Sequence, residues 1–506
     1  MPQAFTYPGV YIVEAPSQVH TIVGVPTAIT AFVGTSTRGP VNVPITIQSA
    51  ANYARIFGGD GTAPLDIAIN LFFQNGGGDA VVVRVGPSSA ANALTAASVA
   101  IGGTTLNAAS PGAWGNQLSY QIDQNGLADP LFNLTITYGG QPQVTETYAR
   151  VSTDPTSPRA LAKVLASSNL VVIGAPPPPP AGGPAPPPAA STLVTAKPVA
   201  FTGGNKSDPA LKEADLLAAF PAVASNNTFF NLLVLTPVGG ATDVAPTTLA
   251  AAAAFARDHR AVLIADAPAG WSSVDDAVAG RDAFFTPFGT ATDNAAVYFP
   301  RLVLTDADGN AVPDVAPSGA VAGLYAATDT ARGVWKAPAG IAVKLSGITD
   351  LALRLSDFDN GRLNPLAVNA LRSFPTIGDV VWGARTLSGD DQTASQWKYI
   401  PVRRLALFIE ESLFRGTKWV VFEPNDEPLW AQVRLDIGAF MHGLFRQGAF
   451  AGQTAKDAYF VQCDSNTNPQ ADIDNGILNV VVGFAPLKPA EFVVITIQQI
   501  VGDYQV

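Results

Sequence analysis

The residues of this chain whose types can do chemistry are few: three histidines, one cysteine and three adjacent pairs of acids. His20, His259 and His442 lie far apart in sequence, so any catalytic triad would have to be assembled by the fold, with a carboxylate supporting the imidazole. His259 stands in Arg257-Asp258-His259-Arg260, where an exposed imidazole complements the carbonyl end of a helix. His442 lies beside Met441 in an amphipathic pattern and reads as a packing or interface edge, while His20 precedes Thr21-Ile22 in a loop. A single cysteine, Cys463, builds neither an internal disulfide nor a multi-thiolate metal site, and after the apolar Tyr459 to Val461 it reads as a small core hydrophobe. The acids pair as Glu410-Glu411, Asp390-Asp391 and Asp275-Asp276. Neighbours on a helix point about 100° apart and do not converge, so solvated faces or loops account for them.

The chain's short motifs point the same way. There is no G-x-S-x-G elbow, no Gly-Lys pair for a phosphate loop, no H-E-x-x-H and no G-x-G-x-x-G after a strand. Thr305-Asp306-Ala307-Asp308-Gly309-Asn310 hints at a calcium loop but lacks the closing Glu, and Asp-Gly between apolar residues is a hairpin turn. No catalytic constellation emerges, and neither metal nor cofactor is expected.

Composition narrows the classes further. The chain has 506 residues, enough for about three domains. Hydrophobic residues make up 47% and charged ones only 14%, where about 25% is usual, so much of the surface is expected to meet protein and not water. With 29 Lys and Arg against 40 Asp and Glu and no basic cluster, nucleic acid is not an expected partner. The N-terminus lacks a signal-peptide pattern, and apolar runs such as Leu249 to Ala256 fall short of the ~20 residues a membrane span needs. Synthesis in the cytoplasm, without membrane insertion, is the expectation.

Periodicity supplies the elements that must position everything else. Val10 to Val13 and Ala28 to Val33 read as strands. Ser49 to Phe57 and Leu65 to Asn75 read as helices, closed by Gly58-Gly59 and Gly76 to Gly78, before a buried strand Val81 to Val85. Short alternating runs from Ser88 to Val199 indicate a small β-rich domain. It contains nine prolines between Pro176 and Pro188, read as an exposed loop or linker or as a ligand for a proline-recognising module. Strand Phe229 to Leu235, helix Thr247 to His259 and strand Ala261 to Asp266 form a βαβ unit. Beyond it come strand Ala295 to Leu304, helix Ser318 to Thr330 and helix Val402 to Phe414. Trp419 to Phe422 reads as a buried strand, and Pro424 to Pro428 as the start of a helix whose stripe runs from Trp430 to Leu444. Leu478 to Phe484 and Phe492 to Ile500 are strand-like runs separated by Pro486 and Pro489.

These segments carry a resemblance. Tyr7-Pro8-Gly9-Val10-Tyr11, Arg38-Gly39-Pro40, the stretch from Pro317 to Gly340, LNPLAVNALRSFP (363–375), VVWGARTL (380–387), WKYIPVRRL (397–405), IEESLFRGTKWVVFEPNDEPLWAQVR (409–434) and DIDNGILNVVVGFAPLKPAEFVVITI (472–497) resemble the sheath proteins of contractile phage tails, pyocins and extracellular contractile injection systems. The match covers roughly the first 90 and last 190 residues; residues 88 to 200 match poorly.

The resemblance implies an α/β and α+β multidomain fold: a conserved inner domain built from N- and C-terminal parts, a subtilisin-like α/β middle domain without protease function, an outer β-rich insertion and terminal strands exchanged between subunits. The expected layout is an N-terminal arm over 1–20, the first part of the α/β core over 21–87, the β-rich domain over 88–200, the subtilisin-like domain over 201–370, a C-terminal sheath domain over 371–490 and a C-terminal strand arm over 491–506. Exchange between subunits would then run through Tyr7, Val10, Tyr11, Ile12 and Val13 at one end and Phe492, Val493, Val494, Ile495 and Ile497 at the other. Arg403, Arg404, Lys456 and Asp457 are candidates for tube-facing or inter-subunit charges. The implied partners are further copies in a helical stack of hexameric rings, an inner tube protein, a baseplate and a tail-terminator or cap protein, in a phage tail or released particle assembled in the bacterial cytoplasm. Two other readings remain: an α/β hydrolase-like enzyme using His259, or a passive tail component such as a tube or terminator protein.

Overall fold

The computed structural model describes residues 20–494 apart from 60, 62, 90–91, 141–142, 175–187, 206–210, 226–227 and 307. The expected strand Tyr7–Val13, nearly all of the proline run, Ile495 and Ile497 lie outside the described residues. The described chain forms two compact units, one of residues 20–25 with 408–487 and one of 26–407 with 488–494. The smaller unit therefore draws on both ends of the chain.

In the larger unit, β1 (Thr30–Gly34) is buried at every position, and β2 (Ile45–Ile47) is short. Helix α1 (Ala50–Phe57) begins where the Ser49 hydroxyl accepts from Asn52 N–H and ends at Gly58 with φ 104°, a conformation that favours glycine. Helix α2 (Pro64–Gln74) leads to β3 (Ala80–Arg84). The β-rich insertion follows with β4 (Ser98–Ile101), β5 (Thr104–Ala108), β6 (Leu118–Asp123), β7 (Leu131–Tyr138), β8 (Val144–Ser152), β9 (Val171–Ile173) and β10 (Val199–Ala200). Its two sheets, ordered β10-β6-β7-β8 and β4-β5-β9, enclose their own core around Trp114, Phe132, Leu134 and Ile136. Strand β7 alternates half-buried and buried residues along its length, the pattern of a sheet with one wet face.

The chain then re-enters the α/β body through β11 (Leu232–Leu235), α3 (Pro246–Asp258), β12 (Val262–Asp266), α4 (Val274–Phe285) and β13 (Ala295–Phe299). The hairpin β14 (Leu302–Thr305) and β15 (Ala311–Val315) turns on Asp306, whose carboxylate accepts from the Asp308 and Asn310 N–H groups, as the Asp-Gly signal predicts. Helix α5 (Ser318–Arg332), β16 (Asp350–Leu351), β17 (Val368–Phe374) and β18 (Gly378–Val381) complete it. The central sheet has eight strands in the order β18-β17-β13-β12-β11-β1-β3-β2, parallel from β17 to β3 with one antiparallel strand at each edge. Ala31 and Val33 face one core with α3 and α4, while Phe32 faces the other with α1, α2 and α5. Burial on both faces explains the unbroken apolar runs. Because β1 lies between β3 and β11, residues 21–87 and 201–370 share one sheet, and the boundary expected at 371 falls inside β17.

Helix α6 (Ile400–Gly416) crosses the division between the units. In the smaller unit, α7 (Glu427–Arg446) starts on Asp426, whose carboxylate accepts from Leu429 N–H. A ribbon of β19 (Tyr459–Gln462) and β20 (Val481–Phe484) follows. Trp419 to Phe422 does not form the expected buried strand. It is a 3-10 turn over Lys418–Val420 followed by a fully exposed Phe422 at φ 74°. Only ten residues separate α6 from α7, so the chain must turn there despite its β-forming composition. The run expected from Leu478 becomes a strand only at Val481, and Phe492 to Val494 carry no strand.

Close approach of α5 to α2 depends on two glycines. A Cβ on Gly319 would stand 2.2 Å from the Ala68 carbonyl oxygen, and one on Gly323 2.3 Å from that of Phe72. Replacing Gly323→Val should therefore destabilise the body by about 2–3 kcal/mol through overpacking against backbone that cannot swing aside, read as a lower urea midpoint.

Candidate functional site

The β19–β20 ribbon pairs four residues with four, Tyr459 with Phe484 through Gln462 with Val481. Among the described residues these strands pair only with each other, and no other described strand lies along either outer edge. Phe460 crosses onto Gly483, where a Cβ would sit 2.2 Å from the phenyl ring. The glycine thus lets an aromatic ring lie flat across the ribbon. Phe450 packs near Tyr459 and Phe484, with ring centroids 6.1 and 5.7 Å away. Phe460 and Val481 remain exposed large apolar residues on this ribbon. An isolated two-stranded ribbon is marginal in water, and these features suit one that accepts further strands.

Lys456 and Asp457 lie exposed on a short helix, Ala455–Ala458, immediately before β19. Asp457 accepts from the Thr454 hydroxyl at 2.7 Å. Arg403 and Arg404 differ from expectation. They are 8% and 4% exposed and lie against partners of their own subunit, not on its surface as the sequence suggests. Arg404 grips Asp329 with both terminal nitrogens at 2.9 and 2.6 Å, donates to the Thr27 carbonyl and lies over the Tyr325 ring. Arg403 donates to Asn294 at 2.9 Å and stacks over Trp397. Adjacent basic residues on a helix look exposed in sequence, but this stretch of α6 is buried nearly all round.

The chemical residues are also settled in place. His259 Nδ1 meets the Phe255 carbonyl at 2.8 Å and its ring packs on Phe230 and Phe255, so its contacts are aromatic and main-chain. His20 stacks on Trp419 at 4.1 Å, and His442 is exposed beside Phe445. Cys463 is buried, and burial pushes its thiol pKa up. Among the described residues no cluster of three His, Cys, Asp or Glu side chains is placed to hold a metal ion. Asp275, Asp276, Asp391 and Glu410 are exposed as expected, but Asp390 is buried against Arg281 at 2.7 Å, and Glu411 is buried and bonded to Arg415 at 2.5 Å.

Two polar clusters carry no signal in the sequence. At the C-terminal end of β12, half-buried Asp266 accepts from Ser318 N–H at 2.8 Å and from its hydroxyl at 2.7 Å. Burial pushes its carboxyl up to about 6, against the pull of Arg301 and the Ser318 bonds. The second joins Arg385, with no exposed side-chain surface, to Glu491 at 2.8 and 2.6 Å.

Residues 392–500 match the phage tail sheath C-terminal domain family, a stretch that holds α7 and the ribbon. The chain is a relative of contractile tail sheath proteins. The tail sheath protein of Vibrio phage KVP40 is 28% identical over 177 residues, 35% of this chain and 25% of that protein's length. The sheath of an extracellular contractile injection system, the PVC sheath complex in its contracted state, superposes with a TM-score of 0.59 at 25% identity, covering 98% of this chain and 99% of the other. A sheath tail protein from Desulfitobacterium hafniense shares the fold, with a TM-score of 0.61 at 17% identity over 90% of this chain and 94% of its own. Like these sheath relatives, the chain is a mixed α/β multidomain protein, and among its described residues no helix is long and apolar enough to cross a membrane.

Asp266 gives this sheath relative a testable pH response. Its folded pKa lies above the ordinary 3.8, so its contribution is fully present below about pH 4 and lost as pH rises through about 6. The loss amounts to about 3 kcal/mol. In urea titrations at pH 4 and 7, Asp266→Asn should gain about that much relative to the parent at the higher pH. Parallel pH profiles for the two proteins would show that the buried carboxyl does not titrate this way.

Proposed function

We propose that the protein is the structural subunit of a contractile sheath. It polymerises around an inner tube in an extended state and shortens to drive that tube through a target envelope. The observation that carries this reading is the likeness to the contracted PVC sheath over nearly the whole of both chains. The β19–β20 edges, along which no other described strand lies, support it from within the molecule. Tyr7 to Val13 of one copy and Phe492 to Ile497 of another would add as strands to those edges, each main-chain hydrogen bond worth about 1 kcal/mol net. Several such bonds per arm, repeated along a filament, keep subunits linked while their bodies move.

On this reading the middle domain is a subtilisin-like scaffold without catalysis, and the work resides in subunit contacts that switch between discrete arrangements. The aromatic and main-chain partners of His259 count against the hydrolase alternative. The chain's length and its full-length match to a sheath count against a tube or terminator protein. The partners are further copies in stacked hexameric rings, an inner tube, a baseplate and a terminator or cap. Lys456 and Asp457 are the charges left to face the tube. Assembly takes place in the bacterial cytoplasm, and the finished particle is a phage tail or a released injection device.

Negative-stain electron microscopy of the purified protein should show hollow striated cylinders. Persistent monomers with intact termini would overturn the sheath reading. Deleting residues 1–15 should leave the circular dichroism of the subunit unchanged and abolish long cylinders; normal cylinders from the truncated protein would overturn the role of the N-terminal arm.

A further inference from the structure

We propose that Arg385 and Glu491 form the anchor from which the C-terminal arm departs, and that this clamp sets how far the arm can reach. The inference rests on the sheath reading for the arm's purpose, but the clamp itself is a property of the single subunit.

Arg385 is placed by the central sheet. Asn369 on β17 accepts from Arg385 N–H at 2.7 Å and donates to the Arg385 carbonyl at 2.8 Å, fixing the main chain before the side chain does anything. The guanidinium then points inward and is completely covered. Its Nη1 donates to the carbonyls of Asn364 and Gly389 and to Asp391, at 2.8, 3.1 and 2.9 Å. That leaves the Nε and Nη2 side of the fork, and both donate to the two oxygens of Glu491, at 2.8 and 2.6 Å. This is the paired geometry that a guanidinium and a carboxylate make best. Tyr399 adds its hydroxyl to the same carboxylate at 3.3 Å. Every partner but Glu491 comes from residues 364–399, so the cradle is built independently of the tail.

The tail around Glu491 is otherwise little held. Leu487, Lys488 and Ala490 are exposed, and Pro489 is half-buried. Directly after the clamp, Phe492, Val493 and Val494 are 75%, 80% and 88% exposed, three apolar side chains in a row without cover. One side chain, 17% exposed, thus marks the change from held to free chain. The chain leaves the smaller unit after Leu487 and belongs to the larger one from Lys488. A pull on the arm is therefore taken by the larger unit through Arg385. Without the clamp the arm would hang from Pro486, five residues earlier and bridged to Phe450, with about 17 Å of extra slack.

The test places a nitroxide on Ala490→Cys; the natural Cys463 is buried and stays unlabelled. In the otherwise unchanged protein the spectrum should show a slow-motion component from the neighbouring clamp. Glu491→Ala should remove that component and shorten the cylinders, while Glu491→Gln, which keeps the shape and one acceptor, should restore part of both. Equal mobility at position 490 in the parent and in Glu491→Ala would overturn the clamp. If the unsubstituted protein forms no cylinders at all, the sheath reading falls while the spectra still decide the clamp.

Discussion

Strand backbone must be paired, and this molecule meets that demand in two different ways. In the central sheet the edges are managed internally. The outer side of β18 receives main-chain bonds from the segment 340–345, including Val381 N–H to Val343 and Leu345 N–H to Asp379, and β2 is only three residues long. In the smaller unit, β19 and β20 have only each other among the described residues, and Phe460 and Val481 stay exposed. The first solution makes a body whose sheet is closed by its own chain; the second leaves a two-stranded ribbon, which the proposed strand exchange would complete.

The buried polar residues belong to the body. Arg404 with Asp329, Arg385 with Asp391 and Glu491, and Asp266 with Ser318 are inward-facing and closely bonded. Breaking one partner of either ion pair leaves an uncompensated charge, which costs several kcal/mol. They tie segments distant in sequence together in a chain only 14% of whose residues are charged.

Much of this architecture was legible in the sequence, for reasons that can be named. Val81 to Val85 and Leu232 to Leu235 announce buried parallel strands because both faces of the sheet are covered. Ser49, Gly58 and Asp426 announce helix ends because caps obey local rules. Legibility fails where tertiary context rules. Trp419 to Phe422 has the composition of a strand but sits in a ten-residue reversal between long helices. Arg403 and Arg404 look like surface charge because a helix buried on nearly all sides is not distinguishable from one exposed on a face. The Arg385–Glu491 and Asp266–Ser318 pairs join residues 106 and 52 apart in sequence, a separation no local pattern can reveal. The ribbon was legible only as two separate apolar runs, Tyr459 to Val461 and Leu478 to Phe484, with no local signal that they pair.

The most direct test is a near-atomic reconstruction of the assembled cylinder, traced through both chain ends. The account predicts that residues 7–13 of one copy and 492–497 of another lie hydrogen-bonded along the two free sides of a third copy's β19–β20 ribbon. Ends that fold back onto their own subunit, with the ribbon's edges facing solvent in the lattice, would contradict it.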